Sequence, residues 1–304
     1  MVCLVIVTFN RLKLLQRLYE SLKNLSVKPT SIVIVNNGST DGTFDFLKKI
    51  SVDNQTFKIH VINQENKGGA GGFHEGIKFA QGLNADYLWL MDDDGFPEKY
   101  SLERLISVSE EFKENIVVGS VCVCEDEPDI LSFPYTNLQT EMKIYSYKEL
   151  ESMSHGKKIP NWINPFNSIL ISKDVIKKVG LPNPKLFLWG DETEYYFRMK
   201  ESNVQIFGIL DAVHFHPMNR QNFTYFRGNF FLDVDVTWKA YCYHRNYSYM
   251  WRKKFKFFGI RTLLLNIKFQ FLNKNFKKAF VNSYIILMAH FHGYFKYLDK
   301  KLPF

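Results

Sequence analysis

Residues 87–97 read YLWLMDDDGFP: five mostly apolar residues run straight into three adjacent carboxylates and then a Gly/Pro break. Close carboxylates repel by about 4 kcal/mol per pair at an effective dielectric near 20. A solvated acidic turn tolerates such a cluster but does not explain the apolar run before it. A buried strand does, because it delivers the cluster to one edge of a sheet. Side chains of an extended chain alternate, so Asp92 and Asp94 are expected to share a face while Asp93 points away. Two aligned carboxylates are hard oxygen ligands suited to Mg²⁺ or Mn²⁺, and a divalent ion would turn their repulsion into binding.

Outward from this stretch, short apolar runs alternate with helical patterns. VCLVIVT (2–8), SIVIVN (31–36), KIHVIN (58–63), DYLWLM (86–91) and IVVGSVCV (116–123) predict strands, and the segments between them place apolar residues at three-to-four spacing. Alternation of this kind implies an α/β fold with a mostly parallel sheet covered on both faces, which binds ligands beyond the carboxyl ends of its strands. Polar clusters follow the early strands: Thr8-Phe9-Asn10-Arg11, Asn36-Asn37-Gly38-Ser39, Asn66 and Asp92–Asp94. The fold would gather all four at one edge. Residues 124–162 are less regular; 163–182 predict a strand, a short helix and a turn; a helix is expected near Gly190, then a strand that ends in HFHP. From Thr224 onward the pattern reads as helical and aromatic.

Composition narrows the class. An apolar fraction of 46% over 304 residues is that of an ordinary globular chain. Arg11, Lys13 and Arg17 interrupt the apolar opening, against a signal peptide, and no uncharged apolar run approaches the roughly 18 residues of a membrane span. The four cysteines are too scattered for a disulfide framework, and Cys122-x-Cys124 reads as alternate positions of one strand. A cytoplasmic compartment is expected. Charge is uneven: Trp251–Phe304 holds 12 Lys and Arg against Asp299 alone, a net +11, while the first 250 residues sum to about −3.

VTFNR (7–11), IVNNGSTDGT (34–43) and LMDDD (90–94) resemble the family 2 glycosyltransferases of GT-A fold, and NKGGAGGFHEG (66–76), WGDETEYYFR (189–198), HFHP (214–217) and WKAYCYHRN (238–246) resemble their galactofuranosyltransferase branch. The resemblance implies inverting transfer of a sugar from a nucleotide diphosphate, with a divalent metal, Mn²⁺ or Mg²⁺, at the acidic motif. It implies that Thr8, Asn10 and Arg11 line the nucleotide pocket and that the Asn36 amide oxygen accepts a hydrogen bond from the base, where the family usually has aspartate. Asp92 and Asp94 match the metal-linked acids, Asp93 would reach the ribose or donor sugar, and His216 would join the metal, with His214 as its rival. Asn66 and the run Gly68, Gly69, Gly71, Gly72 would let backbone approach the donor and offer N–H groups at a helix start, although a plain tight turn reads the same glycines. The glycine pattern favours UDP-galactofuranose as donor over the deoxythymidine-diphosphate rhamnose of related enzymes.

Asp191 with Glu194 fits a capping box and Glu194 with Arg198 an i,i+4 pair, which leaves Glu192 without a local partner. The resemblance assigns Asp191-Glu192 to the acidic pair that deprotonates the acceptor hydroxyl, with Glu192 favoured as base, Asp191 positioning it, and the reverse as the alternative. Trp189, His244 and Arg245 would contact acceptor or diphosphate; Trp238 and Tyr241 read equally well as core. Residues 1–222 are expected to form the catalytic domain and 223–304 a basic, aromatic helical region. That tail interleaves lysines with Phe, Leu and Ile, which suits an interfacial helix on an anionic membrane surface or a bundle with a solvated basic face. No nucleic-acid module accompanies it. A lipid-linked or oligosaccharide acceptor, attachment to the inner face of the cell membrane and a homo-oligomer complete the expectations, and an inactive membrane-bound glycan-binding scaffold is the non-enzymatic alternative.

Overall fold

The computed structural model describes residues 1–53, 56–112, 115–136, 143–154, 156–218, 223–226, 229–232, 238–252 and 258–299. The chain divides into two compact units, one of Met1–Pro182 with Tyr195–Asn219 and one of Asn183–Glu194 with Arg220–Phe304.

In the first unit β1 (Val2–Thr8), α1 (Leu12–Lys23), β2 (Ser31–Asn36), α2 (Thr43–Asp53), β3 (Lys58–Asn63), α3 (Gly68–Ala80) and β4 (Tyr87–Asp92) follow the alternation read from the sequence. β5 (Phe96–Pro97), α4 (Ser101–Phe112) and β6 (Ile116–Val123) come next. The irregular region holds β7 (Ile130–Thr136), β8 (Lys143–Ser146), α5 (Tyr147–Met153) and β9 (Lys158–Pro160), and then come β10 (Asn167–Ser172), α6 (Lys173–Val179), α7 (Asp191–Glu201), of which this unit holds the part from Tyr195, and β11 (Gln205–Phe215). Strand order is β3-β2-β1-β4-β10-β6-β11-β5. The first four strands are mutually parallel, and β1 and β2 are buried along their whole length, as continuous apolar runs under helices require. β10 runs antiparallel to both β4 and β6, so the sheet is mixed. An apolar run such as NSILIS has no direction of its own, which is why periodicity missed this reversal.

Two apolar layers sandwich the sheet. Val5, Val7, Phe73 and Ile77 lie in one, with Ile169 and Tyr195; Leu4, Ile6, Leu18 and Trp89 lie in the other, with Leu105. α3 sits close on the sheet because Gly72 and Gly76 face Val7 and Val5, where an added Cβ would collide. Cys122 lies within β6 and Cys124 one residue past its end; all four cysteines are buried and free.

The second unit contains a hairpin, β12 (Phe223–Phe226) and β13 (Asn229–Leu232), where the aromatic run was expected to be helical; aromatic residues also suit strands. Three helices follow: α8 (Trp238–Trp251), α9 (Phe258–Asn273) and α10 (Phe276–Tyr294). Tyr241 and Cys242 of α8 pack on Ile285 and Ala289 of α10, which confirms Tyr241 as core. Gly293 lets the end of α10 approach α8 so closely that a Cβ there would meet the Arg245 carbonyl. Asn183–Glu194 belongs to this unit, ahead of the boundary expected near 222, because Arg245 and Asn246 hold its carbonyls. Among the described residues no helix is long and apolar enough to cross a membrane.

Candidate active site

Register brings the strand ends together. Thr8 pairs with Asn36, Asn36 with Asn63, and Val7 with Asp92, so the polar tips of β1, β2, β3 and β4 share one edge. Loops close over that edge through side chains. Asn10, at φ 53, accepts from the Thr40 N–H at 2.7 Å, and its own N–H donates to Ser39 Oγ at 3.0 Å. Asp41 accepts from the Leu12 N–H at 2.9 Å and from Thr43 Oγ1 at 2.6 Å. Burial pushes the Asp41 carboxyl up, but the hydrogen bonds from Thr43 and Leu12 outweigh it and hold it low. Asp41 was not among the residues anticipated at this edge, although Asp-Gly-Thr before a helix is a readable Asx-turn signal.

β4 ends at Asp92, so the alternation expected of the three acids stops there. Asp93 and Asp94 lie in a turn and both reach Arg11, whose Nη1 donates to Asp93 Oδ1 at 3.0 Å and to Asp94 Oδ2 at 2.7 Å. Thr8 Oγ1 donates to Asp93 Oδ2 at 2.6 Å. Arg11 therefore answers the repulsion that the sequence raised, and buried Asp93 is occupied in fixing the edge. Burial pushes Asp93 up to about 6 despite Arg11 and Thr8, with the Asp94 charge adding to the rise. Asp94 responds oppositely: burial is outweighed by His216 and then Arg11, which hold its carboxyl well below the usual range.

His216 Nε2 lies 3.1 Å from Asp94 Oδ1, a buried oxygen to which no hydrogen bond is aligned. His216 Nδ1 donates to the Pro217 carbonyl at 2.7 Å, which turns Nε2 toward Asp94. A carboxylate oxygen beside an imidazole nitrogen is the mixed oxygen and nitrogen donor set that suits a divalent ion. Among the described residues no group of three His, Cys, Asp or Glu is assembled for a metal, so Asp92, Asp94 and His216 do not form the expected three-ligand set. Asp92 ends β4 half-buried, its N–H donating to the Phe166 carbonyl. The rival His214 is fully buried against Gly95, and burial, with His216 nearby, pushes it down to about 3.

The glycine run begins α3 and does not precede it. Asn66 Oδ1 accepts the Gly68 N–H at 2.9 Å, and Asn37 donates to the Gly68 carbonyl at 2.8 Å while accepting from Gln64 and Lys67. Gly72 packs on Val7, and a Cβ on Gly71 would strike Lys67. Gly68, Gly71 and Gly72 thus have packing and capping duties, and Gly69 stands in the first turn. The Asn36 amide oxygen accepts from the Ser39 N–H at 3.1 Å and its nitrogen donates to Asn63 at 3.0 Å, so this side chain already braces the loop it was expected to open to a base.

In the second unit, Phe187, Trp189 and Gly190 take positive φ just before α7. Gly190, not Asp191, is the residue whose carbonyl starts the helix, accepting from Glu194 N–H at 2.9 Å, so Asp191 is the first helical residue and not the N-cap that the expected capping box requires. Asp191, Glu192 and Glu194 then occupy the first turn, where the helix dipole favours carboxylates. Glu192 does have a local partner, the Gly190 N–H at 3.3 Å. Asn246 donates to the carbonyls of Leu186, Leu188 and Trp189, and Arg245 to those of Lys185, Leu186 and Leu298. The Arg245 guanidinium is buried and spent on backbone, and His244 is buried and held down to about 3 by burial and by His290. Neither presents itself to an acceptor or a diphosphate. Trp189 packs edge-on to Tyr243.

The profile described as Glycosyl transferase family 2 matches residues 3–180. The galactofuranosyltransferase GlfT1 of Mycolicibacterium smegmatis is 30% identical over 73% of this chain and 72% of its own length; the protein of that name from Mycobacterium tuberculosis is 29% identical over 72% and 71%. Among solved structures, GalNAc-T7 with UDP, GalNAc and Mn²⁺ superposes with a TM-score of 0.58 at 13% identity, covering 83% of this chain and 47% of that one. Staphylococcus aureus TarS gives 0.53 at 14%, covering 84% and 44%. The chain spans under half the length of these two solved proteins, and at such identities the likeness concerns the fold.

Proposed function

The chain belongs to glycosyl transferase family 2, with a GT-A fold and a galactofuranosyltransferase-like sequence, and from that premise we propose that it moves a galactofuranosyl residue, with inversion, from UDP-galactofuranose to a hydroxyl of a glycan acceptor. The observation that carries the donor is the 30% identity to GlfT1 across 73% of the chain. The GT2 profile, by contrast, carries only the class of reaction.

On this reading the shared edge of β1, β2, β3 and β4 receives the nucleotide diphosphate. Arg11 is half-exposed and can turn part of its charge to a phosphate, while Asn10 and Thr8 hold the β1 loop in place. Asp94 and His216 would hold a divalent ion, Mn²⁺ suiting the imidazole better than Mg²⁺, and that ion supplies charge neutralisation for the departing diphosphate. Glu192 takes the acceptor proton and Asp191 positions it. A lipid-linked acceptor in cell-surface polysaccharide synthesis, and attachment to the cytoplasmic face of the membrane through the basic tail, accord with the +11 charge of residues 251–304.

A donor screen tests the proposal: the full chain is given UDP-galactofuranose, UDP-galactopyranose or deoxythymidine-diphosphate rhamnose with acceptor glycans, and the anomeric configuration of the product is read by NMR. Transfer from UDP-galactofuranose with inversion is expected. Turnover of the rhamnose donor alone, or retention of configuration, overturns it.

A further inference from the structure

The second unit carries an apolar surface that the transfer reaction does not use. Along α10, Phe276, Phe280, Tyr284, Leu287, Phe291 and Phe295 recur at spacings of three or four residues, and each is between 48% and 77% exposed. The opposite side of the same helix, including Ala279, Ile286 and Ala289, is buried. A helix apolar all round is either sheathed by protein or faces lipid. Here one side is sheathed and the other is open, over all 19 residues of α10. No helix among the described residues can span a bilayer, so the open side could meet lipid only by lying in the plane of the interface.

The row leads into a cavity. Trp251 at the end of α8, Arg252 just beyond it, Ile260 and Leu263 from α9, and Leu287 and Phe291 from α10 line an open hollow of about 300 Å³. That volume sits at the small end of the range of about 300–1,000 Å³ for ligand sites. Its wall is apolar and offers almost nothing to a sugar or nucleotide. The polar exceptions include Arg252, whose Nε is buried without a hydrogen-bond partner among the described residues, and His290, whose Nε2 is likewise unpartnered. An apolar hollow with an unpartnered guanidinium Nε in its wall, the rest of that group lying over the Tyr249 ring, matches a hydrocarbon chain that ends in an anion. Exposed Lys277 and Lys278 flank the start of the row and exposed Lys296 its end.

We infer that this cavity binds the apolar chain of an anionic bilayer lipid, with the exposed row of α10 seated in the interface and Arg252 taking the headgroup phosphate. The inference rests on the membrane part of the reading above and adds the face, the pocket and the ligand. A second copy of the chain is the poorer occupant, since two surfaces framed by lysines repel each other.

Brominated lipids test it on the full chain. Phosphatidylcholine vesicles with about 30% phosphatidylglycerol, brominated along the acyl chains, are mixed with wild type and with Trp251→Phe, and both sedimentation and tryptophan quenching are recorded. Both proteins should co-sediment, and most of the quenching should vanish with Trp251→Phe, although four other tryptophans remain. Leu287→Ser with Phe291→Ser should weaken vesicle binding about tenfold or more. Transfer to a soluble acceptor, measured in parallel, reports the fold and the catalytic reading separately. Vesicle binding with undiminished quenching in Trp251→Phe overturns the pocket. Failure to bind anionic vesicles overturns the membrane reading and the inference together. A dimer in solution that the Leu287 and Phe291 changes abolish hands the face to a second copy and overturns it too.

Discussion

Arg11 and Arg245 are both held by their own unit, and they hold opposite kinds of partner. Arg11 lies across two carboxylates, Asp93 and Asp94, with its side chain 46% exposed. Arg245 is buried and donates to three backbone carbonyls and the Asn246 amide oxygen. Carbonyls of a folded loop have no other use for their lone pairs, so Arg245 is fixed by what it satisfies. Carboxylates and a half-exposed guanidinium can exchange each other for a cation or a phosphate. The sheet edge is thus a set of charges with interchangeable partners, whereas Arg245 and Asn246 of the second unit are spent on the backbone of the loop before α7.

The largest effects should separate chemistry from scaffold. Glu192→Gln is expected to lower kcat by about 10² to 10⁴ with the thermal midpoint near wild type, and Asp191→Asn to lose less. The reverse order, read from single-turnover rates, would exchange their roles. Asp94→Ala should cost about 10² to 10³ in kcat/KM and weaken the response to added Mn²⁺, while leaving the fold intact. Its neighbour Asp93, bonded to Thr8 and Arg11, should instead lower the melting temperature when changed to Ala. Equal behaviour of the two variants would erase the distinction drawn at this edge.

A smaller and purely structural effect is expected in the second unit. Arg245→Met removes the side-chain partner of the Lys185 and Leu298 carbonyls, Leu186 keeping Asn246, and should cost about 2 kcal/mol, seen as early protease cleavage around 183–190. Activity that falls with no loss of protease resistance would give Arg245 a ligand after all.

The gentlest test is pH. Burial holds His244 down to about 3 and His290 down to about 4, below the ordinary value of 6.5. The unfolded chain takes up those protons first, so the stability they contribute is complete above pH 6.5 and is lost as pH falls below it. In the first unit His214 acts in the same sense, but Asp93, raised to about 6, gains stability over part of the same range. Hydrogen exchange at pH 7 and pH 5 should therefore show α8 and α10 losing more protection than β1 and β4. Uniform loss would mean that the two units do not differ in how they carry buried charge.

Much of the sheet is legible in the sequence, because strand and helix periods are local properties of consecutive residues. VCLVIVT, SIVIVN and KIHVIN coincide with β1, β2 and β3, and the helices between them lie within a few residues of their patterns. The strand tips named from the sequence do share one edge, since strands that run parallel end at the same side of the sheet. Three things were not legible. The direction of β10 depends on partners distant in sequence. The hairpin Phe223–Leu232 uses aromatic residues that serve helix or strand equally. The glycines of α3 read as a ligand loop because nothing in GGAGG says that Val5 and Val7 lie beneath.

By itself, then, the chain's sequence determined its class of fold, its family and the edge at which charged groups gather, all consequences of pattern along a few neighbouring residues. Only the tertiary structure decided what each charged group touches: that Arg11, 82 residues away from Asp93, balances the acids, that Arg245 holds a loop, and that α10 turns an apolar side outward. Contacts over such separations follow from how elements pack, and packing is a property of the whole chain.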